Sequence, residues 1–351
     1  MIISKKTIFL CFSNLSLIST KCLINKYKLK EYIIIFLAQD GDDNDAEKNS
    51  LELIKNLGLS KGKIFNIDKK CNYKLSNFYS FRKKINSIIK NFCDLNNSIL
   101  ITSINYGYVY YYFKLKLNQK DDYLIDEGIT NWLEIKDRYV YIKSLIYSLL
   151  FLNFINLPKY RIIGNVNLKY YFGYLDNLNK SKLRKHYYYV SLLDEYKKII
   201  KNNKVEIKLP KEVKKKDYYL LILAKNIHYK FGLNNLLEKT IELIEKNSKK
   251  DFLIIIKFHP GYNISKKEFQ KKYYGKILII KDKVFPIEFY DLDFIAKIFS
   301  PINSSLFLLN FLNVINKKKI FFYNVFQADL AQKLIIAKKF NFKEAKISEL
   351  Y

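Results

Sequence analysis

Glycine is scarce in this chain, ten among 351 residues, and neither G-x-G-x-x-G nor G-x-x-x-x-G-K-[ST] occurs. Dinucleotide oxidoreductases and P-loop NTPases lose their main sequence support, because both fold a glycine-rich loop around phosphate. A phosphate here is held another way. Arginine is confined to positions 82, 138, 161 and 184 although the formal net charge is +29. Bidentate recognition of bases and phosphates favours arginine over lysine. Lysine is spread along the whole chain beside Ile, Asn, Tyr and Phe, the profile of an AT-rich coding sequence, so no dedicated nucleic-acid role is expected. The charge still favours anionic surfaces and anionic small molecules. Cys11, Cys22, Cys71 and Cys93 lack metal-ligand spacing and read as reduced, buried thiols. The three histidines, His186, His228 and His259, lie near no cysteine cluster, so no metal site and no cofactor is expected. Long apolar runs are also missing. The longest uncharged one, 144–157, falls short of the ~20 residues of a membrane span and reads as a buried helix, with membrane docking as the alternative. The apolar stretch 7–12 is broken by Ser13-Asn14 and reads as a first strand rather than a signal peptide.

What is present is an alternation of apolar strands and amphipathic helices, the mark of α/β layers. Strands are predicted at 7–12, 32–38, 63–67, 98–103 and 122–125, with helices at 15–27, 46–57, 78–92 and 106–117. A helix over 132–154 follows, then a less regular stretch around 161–168. The lysine-rich segment 202–217, with Pro210, reads as a linker. A second set follows it: strands 218–224, 252–257, 276–281, 294–299 and 319–323, with helices 233–246, 304–311 and 329–340. The expected domains are 1–201 and 218–351, each Rossmann-like and doubly wound.

Three short motifs end three of these strands. Asp126-Glu127-Gly128 follows the strand at 122–125, His259-Pro260-Gly261 follows 252–257, and Ser304-Ser305 opens the helix after 294–299. Ligands of open α/β sheets bind beyond the carboxyl ends of the strands. An acid pair there supplies a general base; adjacent carboxylates on extended chain point to opposite sides, so only one faces a ligand well. Capping of the next helix, by Thr130 or Asn131, is the structural alternative. His259 has the chemistry to donate a proton or pair with phosphate, or simply to bond a loop carbonyl. Two hydroxyls on a first helical turn, where N–H groups are unpaired, suit one phosphate without metal; plain capping by Asn303 or Ser304 is the alternative. Glu288, after Pro286-Ile287, either accepts a ribose diol or is a solvated cap.

The three motifs in this order, with Pro286-Ile287-Glu288 between the last two, resemble those of the bacterial sialyltransferases. The lipooligosaccharide sialyltransferase group, glycosyltransferase family fifty-two, is the nearest in look, with the polysialyltransferases next. The resemblance implies a GT-B fold, two Rossmann-like domains facing a central cleft, with an N-terminal acceptor side and a C-terminal donor side. It implies an inverting, metal-independent transfer of sialic or related nonulosonic acid from a CMP donor to a terminal sugar of a lipooligosaccharide or capsular glycan. Asp126 or Glu127 is then the base, with Asp126 preferred, and His259 meets the leaving phosphate. Gly128, Pro260, Gly261, Glu288, Ser304 and Ser305 line the donor site. Ser13 and Asn14 take the place of a polar loop facing the acceptor, although the usual Thr-Pro pair is missing. The expected partners are the CMP-sugar and a glycan or glycolipid acceptor, with cytoplasmic location and peripheral contact with the anionic inner membrane surface. Another donor, CMP-Kdo or a nucleoside-diphosphate sugar, and a non-catalytic glycan- or membrane-binding protein are the alternatives.

Overall fold

The computed structural model describes residues 6–38, 44–68, 75–92, 97–104, 107–128, 142, 146, 168–174, 187–209, 217–223, 232–247, 251–258, 271–282, 284–316, 319–323, 337 and 342–345. The helices expected over 132–154 and 329–340 fall outside these residues, apart from helical Ile142, Ile146 and Ala337. The chain divides into two compact units, Met1–Ile199 and Ile200–Tyr351.

In the first unit, β1 (Lys6–Cys11), α1 (Asn14–Tyr27), β2 (Tyr32–Ala38), α2 (Asn44–Asn56), β3 (Lys63–Asp68), α3 (Leu75–Phe92), β4 (Ser98–Thr102), α4 (Tyr108–Lys116) and β5 (Asp122–Ile125) alternate as predicted. Two further strands, β6 (Leu168–Gly173) and β7 (Tyr188–Ser191), complete the sheet, and the helix α5 (Leu193–Asn202) spans the division between the units. The sheet order is β3-β2-β1-β4-β5-β6-β7, with every pairing parallel. Parallel strands are buried on both faces and need near-continuous apolar sequence. β1 illustrates this: Ile8, Leu10 and Phe12 join a core cluster with Ile85, Ile88 and Ile89 of α3 and Val109 and Phe113 of α4. On the opposite face the Cys11 thiol lies 3.2 Å from the Thr20 hydroxyl of α1. Each fully buried aliphatic or aromatic side chain contributes about 1.5–3 kcal/mol.

Scarce glycine shows in the turns. α1 stops at Lys28, whose φ of 52° is left-handed, and Asn118 and Asn313 take the same conformation at φ 48° and 55°. Glycine is the usual residue at such positions, and asparagine is the next most tolerant.

The second unit holds β8 (Asp217–Ile222), the helix α6 (Gly232–Asn247), β9 (Phe252–Lys257), β10 (Ile277–Ile279), β11 (Ile295–Pro301), the helix α7 (Ser304–Phe311), β12 (Ile320–Tyr323) and β13 (Lys343–Ala345). Its sheet runs β10-β9-β8-β11-β12-β13, again all parallel. Strand order reverses between β1 and β4 in the first sheet and between β8 and β11 in the second. These are the topological switch points at which open sheets bind ligands. Val205, inside the segment read as a linker, pairs with Tyr290; its N–H donates to Phe289 O at 2.8 Å and its carbonyl accepts from Asp291 N at 2.9 Å.

Candidate active site

The acid motif of the first unit begins where β5 ends. Asp126 is fully buried, and both of its carboxylate oxygens are taken by backbone. Oδ1 accepts from Gly128 N at 2.8 Å and Oδ2 from Tyr174 N at 3.1 Å. Asp126 N donates to Phe172 O at 2.9 Å, and its carbonyl accepts from Ser19 Oγ at 2.8 Å. Asp126 therefore fastens the ends of β5 and β6 to α1. The short loop it closes requires Gly128, whose φ is 117°, in the range that side chains disfavour. Glu127, at the corner of that loop, is half-buried. Its charge reaches the Cys11 thiol at the end of β1, which burial, above all, pushes up to about 12. Cys11 therefore stays a protonated thiol. Of the two acids, Asp126 is committed to holding the loop and Glu127 is the one with solvent access.

Ser13 and Asn14 start α1, and both side chains have structural partners. Ser13 Oγ accepts from Ser16 N at 3.2 Å while Ser16 Oγ accepts from Ser13 N at 3.0 Å, a reciprocal capping box. Asn14 Oδ1 accepts from Ser50 Oγ at 2.9 Å.

In the second unit α7 starts directly beyond β11, at the switch point. Asn303 is its cap, accepting from Leu306 N at 3.1 Å while its amide donates to Ser300 Oγ at 2.8 Å. Capping is thus done by Asn303, and Ser304 and Ser305, both half-buried, occupy the first turn. The 3-10 turn Ile287–Phe289 carries Glu288, which is 1% exposed, so the solvated-cap alternative does not hold for it. Burial raises its pKa, opposed by its own backbone N–H, the Ser305 hydroxyl and the Lys257 charge. Its Oε2 is buried without a hydrogen-bond partner. A buried, unsatisfied acceptor costs about 1–3 kcal/mol, more when charged. A ligand that brings hydroxyl donors to it recovers that cost.

A stability test follows from the sign of this shift. The folded chain holds the Glu288 proton more tightly than the unfolded one. Its contribution to stability is complete below the ordinary glutamate value of 4.5 and is lost as pH rises through the folded value. Glu288→Gln removes that pH dependence. We expect its Tm to match or exceed that of the wild type at pH 8, whereas below pH 4 the advantage disappears. A Tm lower than wild type at pH 8 would show that the carboxylate is stabilising where it sits.

His259, Pro260, Gly261 and His228 lie outside the described residues. The strand leading to His259, β9, ends at Lys257, a residue that the sequence reading passed over. Lys257 is 5% exposed and donates to the Asp282 carbonyl and, at 3.2 Å, to the Tyr290 hydroxyl. The one sequence signal is a lysine closing an otherwise apolar strand, FLIIIK. Among the described residues no group of three or more His, Cys, Asp or Glu side chains is placed to hold a metal ion.

No protein-family model matches the chain, and none of the curated proteins does. Solved structures do. An α/β-galactoside α-2,3-sialyltransferase from the luminous marine bacterium Photobacterium phosphoreum superposes with a TM-score of 0.51 at 13% identity, covering 98% of this chain and 99% of that one. The UDP-GlcNAc 2-epimerase of Methanocaldococcus jannaschii, in complex with UDP-GlcNAc and UDP, gives 0.54 at 16% identity, over 97% and 94%. The spinosyn forosaminyltransferase SpnP gives 0.56 at 6% identity, over 98% and 86%. With two parallel sheets of seven and six strands, the chain has the GT-B fold, and its structural neighbours are glycosyltransferases and nucleotide-sugar epimerases.

Proposed function

We propose that the chain is an inverting glycosyltransferase that carries a sialic acid, or a related nonulosonic acid, from a CMP-activated donor to a terminal sugar of a lipooligosaccharide or capsular glycan. The observation that carries this reading is the open Glu288 Oε2 beside the first turn of α7. A ribose offers two neighbouring hydroxyl donors, which suit a buried carboxylate. The start of α7, with the positive end of its dipole and its two serine hydroxyls, then suits the adjoining phosphate. CMP sugars carry a single phosphate, which one helix start can hold. The resemblance of the three motifs and the match to a sialyltransferase over nearly its whole length support the same donor.

In the reaction, the Glu127 carboxylate takes the proton of an acceptor hydroxyl, whose oxygen bonds the anomeric carbon. The bond from that carbon to the phosphate oxygen breaks, and CMP leaves with the electron pair. His259, by the resemblance, and the start of α7 stabilise its charge. The net charge of +29 favours peripheral attachment to the anionic inner face of the membrane, close to a lipid-linked acceptor. Among the described residues no helix is long and apolar enough to cross a membrane.

A second reading, a UDP-sugar donor, is favoured by the epimerase neighbour, whose structure contains UDP-GlcNAc and UDP. Thermal protection by a nucleotide panel separates the two, because a ligand at 100 times its Kd adds about 2.7 kcal/mol of stability. Protection by CMP and CMP-sialic acid exceeds that by UDP and UDP-GlcNAc if the proposal holds; the reverse order selects the second reading.

Ser304→Ala/Ser305→Ala weakens CMP binding by about 1–3 kcal/mol, the worth of hydrogen bonds to a charged group. Because Asn303 is the cap, the helix itself persists. Calorimetry that found CMP affinity unchanged and Tm lowered would return the serines to a structural role.

A further inference from the structure

The segment 204–209 lies within the stretch that the sequence marks as a linker, yet it belongs to the second unit and is bonded into it. Its residues alternate: Val205, Ile207 and Leu209 are half-buried, whereas Lys204, Glu206 and Lys208 are exposed. Burial of period two is that of extended chain laid with one face on a surface. Val205 makes the bond to that surface, in a parallel bridge with Tyr290. Its N–H donates to Phe289 O at 2.8 Å, and its carbonyl accepts from Asp291 N at 2.9 Å. Beside it, Lys204 Nζ lies 3.1 Å from Asp291 Oδ1.

These bonds fall on the residues that directly follow Glu288. Glu288 is the middle residue of a single 3-10 turn, Ile287–Phe289, closed by Phe289 N to Pro286 O and Tyr290 N to Ile287 O, both at 3.1 Å. One such turn has little stability of its own, because nucleating a helix fixes several dihedrals for very few hydrogen bonds. Its geometry therefore comes from what grips it. Val205 grips the exit of the turn through the backbone. The Tyr290 hydroxyl, which donates to Asp282 Oδ2 and accepts from Lys257 at 3.2 Å, anchors the same exit through a side chain. Glu288 Oε2 is buried without a hydrogen-bond partner, and a group that binds through one buried atom has to be held to within about 0.5 Å.

We propose that Val205 is a positioning residue for the ligand of Glu288: its two backbone bonds set the turn, and with it the reach of the carboxylate toward the neighbouring hydroxyls of a ribose. Its effect on ribose binding rests on the nucleotide reading above.

Val205→Pro tests this in the full chain, because proline removes the N–H that Phe289 O accepts and leaves Glu288 itself unchanged. Calorimetry compares CMP with 2′-deoxy-CMP, and UDP with 2′-deoxy-UDP. The wild type prefers the ribonucleotide about ten- to a hundredfold, the worth of one hydrogen bond to a charged acceptor. In Val205→Pro the preference falls toward unity. In a Glu288→Gln background the same substitution changes it no further, since both act through one carboxylate. Val205→Gly, which keeps the donor and loosens the same backbone, lowers the preference in the same direction if the proline variant fails to fold. A preference that survives in the folded variant, with ribo- and deoxynucleotide weakened in step, overturns the role of Val205 and leaves the nucleotide reading in place. A wild type that binds neither CMP nor UDP, or binds without preferring ribose, rejects the reading of Glu288 itself and the role of Val205 with it.

Discussion

Glu127→Gln lowers glycosyl transfer by about two to four orders of magnitude, the range for a positioned general base, and leaves the protein folded. The substitution keeps the shape of a half-buried side chain at a loop corner and removes only its basicity. CMP affinity stays at the wild-type value, because the nucleotide is assigned to Glu288 and α7. Slow hydrolysis of the donor persists, since the departure of CMP is still assisted. Asp126→Asn gives the complementary result. Its carboxylate accepts from Gly128 N and Tyr174 N, and the amide has one acceptor atom for two donors, so stability falls together with activity. The sequence alone favoured Asp126 as base; the backbone bonds of the structure turn the preference to Glu127. Steady-state rates with Tm for both variants decide it. A fully active Glu127→Gln enzyme would remove Glu127 from the chemistry, and full activity in both variants would remove the acid motif.

The largest expected loss of stability lies in the first unit. Asp122, at the start of β5, is fully buried, and its Oδ1 accepts from both Lys114 and Tyr110 of α4. The Lys114 side chain is itself 5% exposed. Breaking a buried pair from one side strands the other charge without water, at about 3–5 kcal/mol. Lys114→Met therefore lowers Tm by roughly 10 °C, at 2–4 °C per kcal/mol for a domain of this size. Replacing the pair together, as Lys114→Met/Asp122→Leu, restores much of that loss, because two apolar side chains need no partner. The Tyr110 hydroxyl, left without its acceptor, limits the recovery. Equal Tm values for the single variant and the wild type would mean that water reaches the pair.

These two sites also show where sequence reading succeeds and stops. β1 to β5 were legible because apolar runs such as YIIIFLA and SILIT end at polar turns. β6 and β7 were not, because LKYYFG and YYVS are written in tyrosine. Tyrosine serves both faces: Tyr123, Tyr170 and Tyr188 stack across three strands with centroids 5.7 and 5.0 Å apart, while Tyr171 on the other face packs against Tyr187 and Tyr189. No alternation survives in such a segment. β13, only Lys-Glu-Ala, has no apolar signal and is fixed by pairing with β12.

The site divides in the same way. The positions of Asp126-Glu127-Gly128 and Ser304-Ser305 beyond strand ends were readable from local pattern. Which acid is committed depends on Tyr174, 48 residues away. The burial of Glu288 depends on the core around Ile287 and Phe289 and on α7 beside it. The buried Lys257 finds its hydrogen-bond partners 25 and 33 residues further on. Long-range contacts of this kind leave no trace in a motif.

The central claim is that this chain transfers a sugar from a CMP-activated donor, and phosphorus NMR of that donor tests it most directly. With CMP-sialic acid and a galactose-terminated acceptor, the account predicts that the phosphodiester signal gives way to that of CMP, faster with acceptor than without. The sialyl product has its anomeric configuration inverted, and conversion is slowed in Glu288→Gln. A CMP-sialic acid signal that persists at the rate of the protein-free control, while a UDP-sugar is consumed, would contradict it.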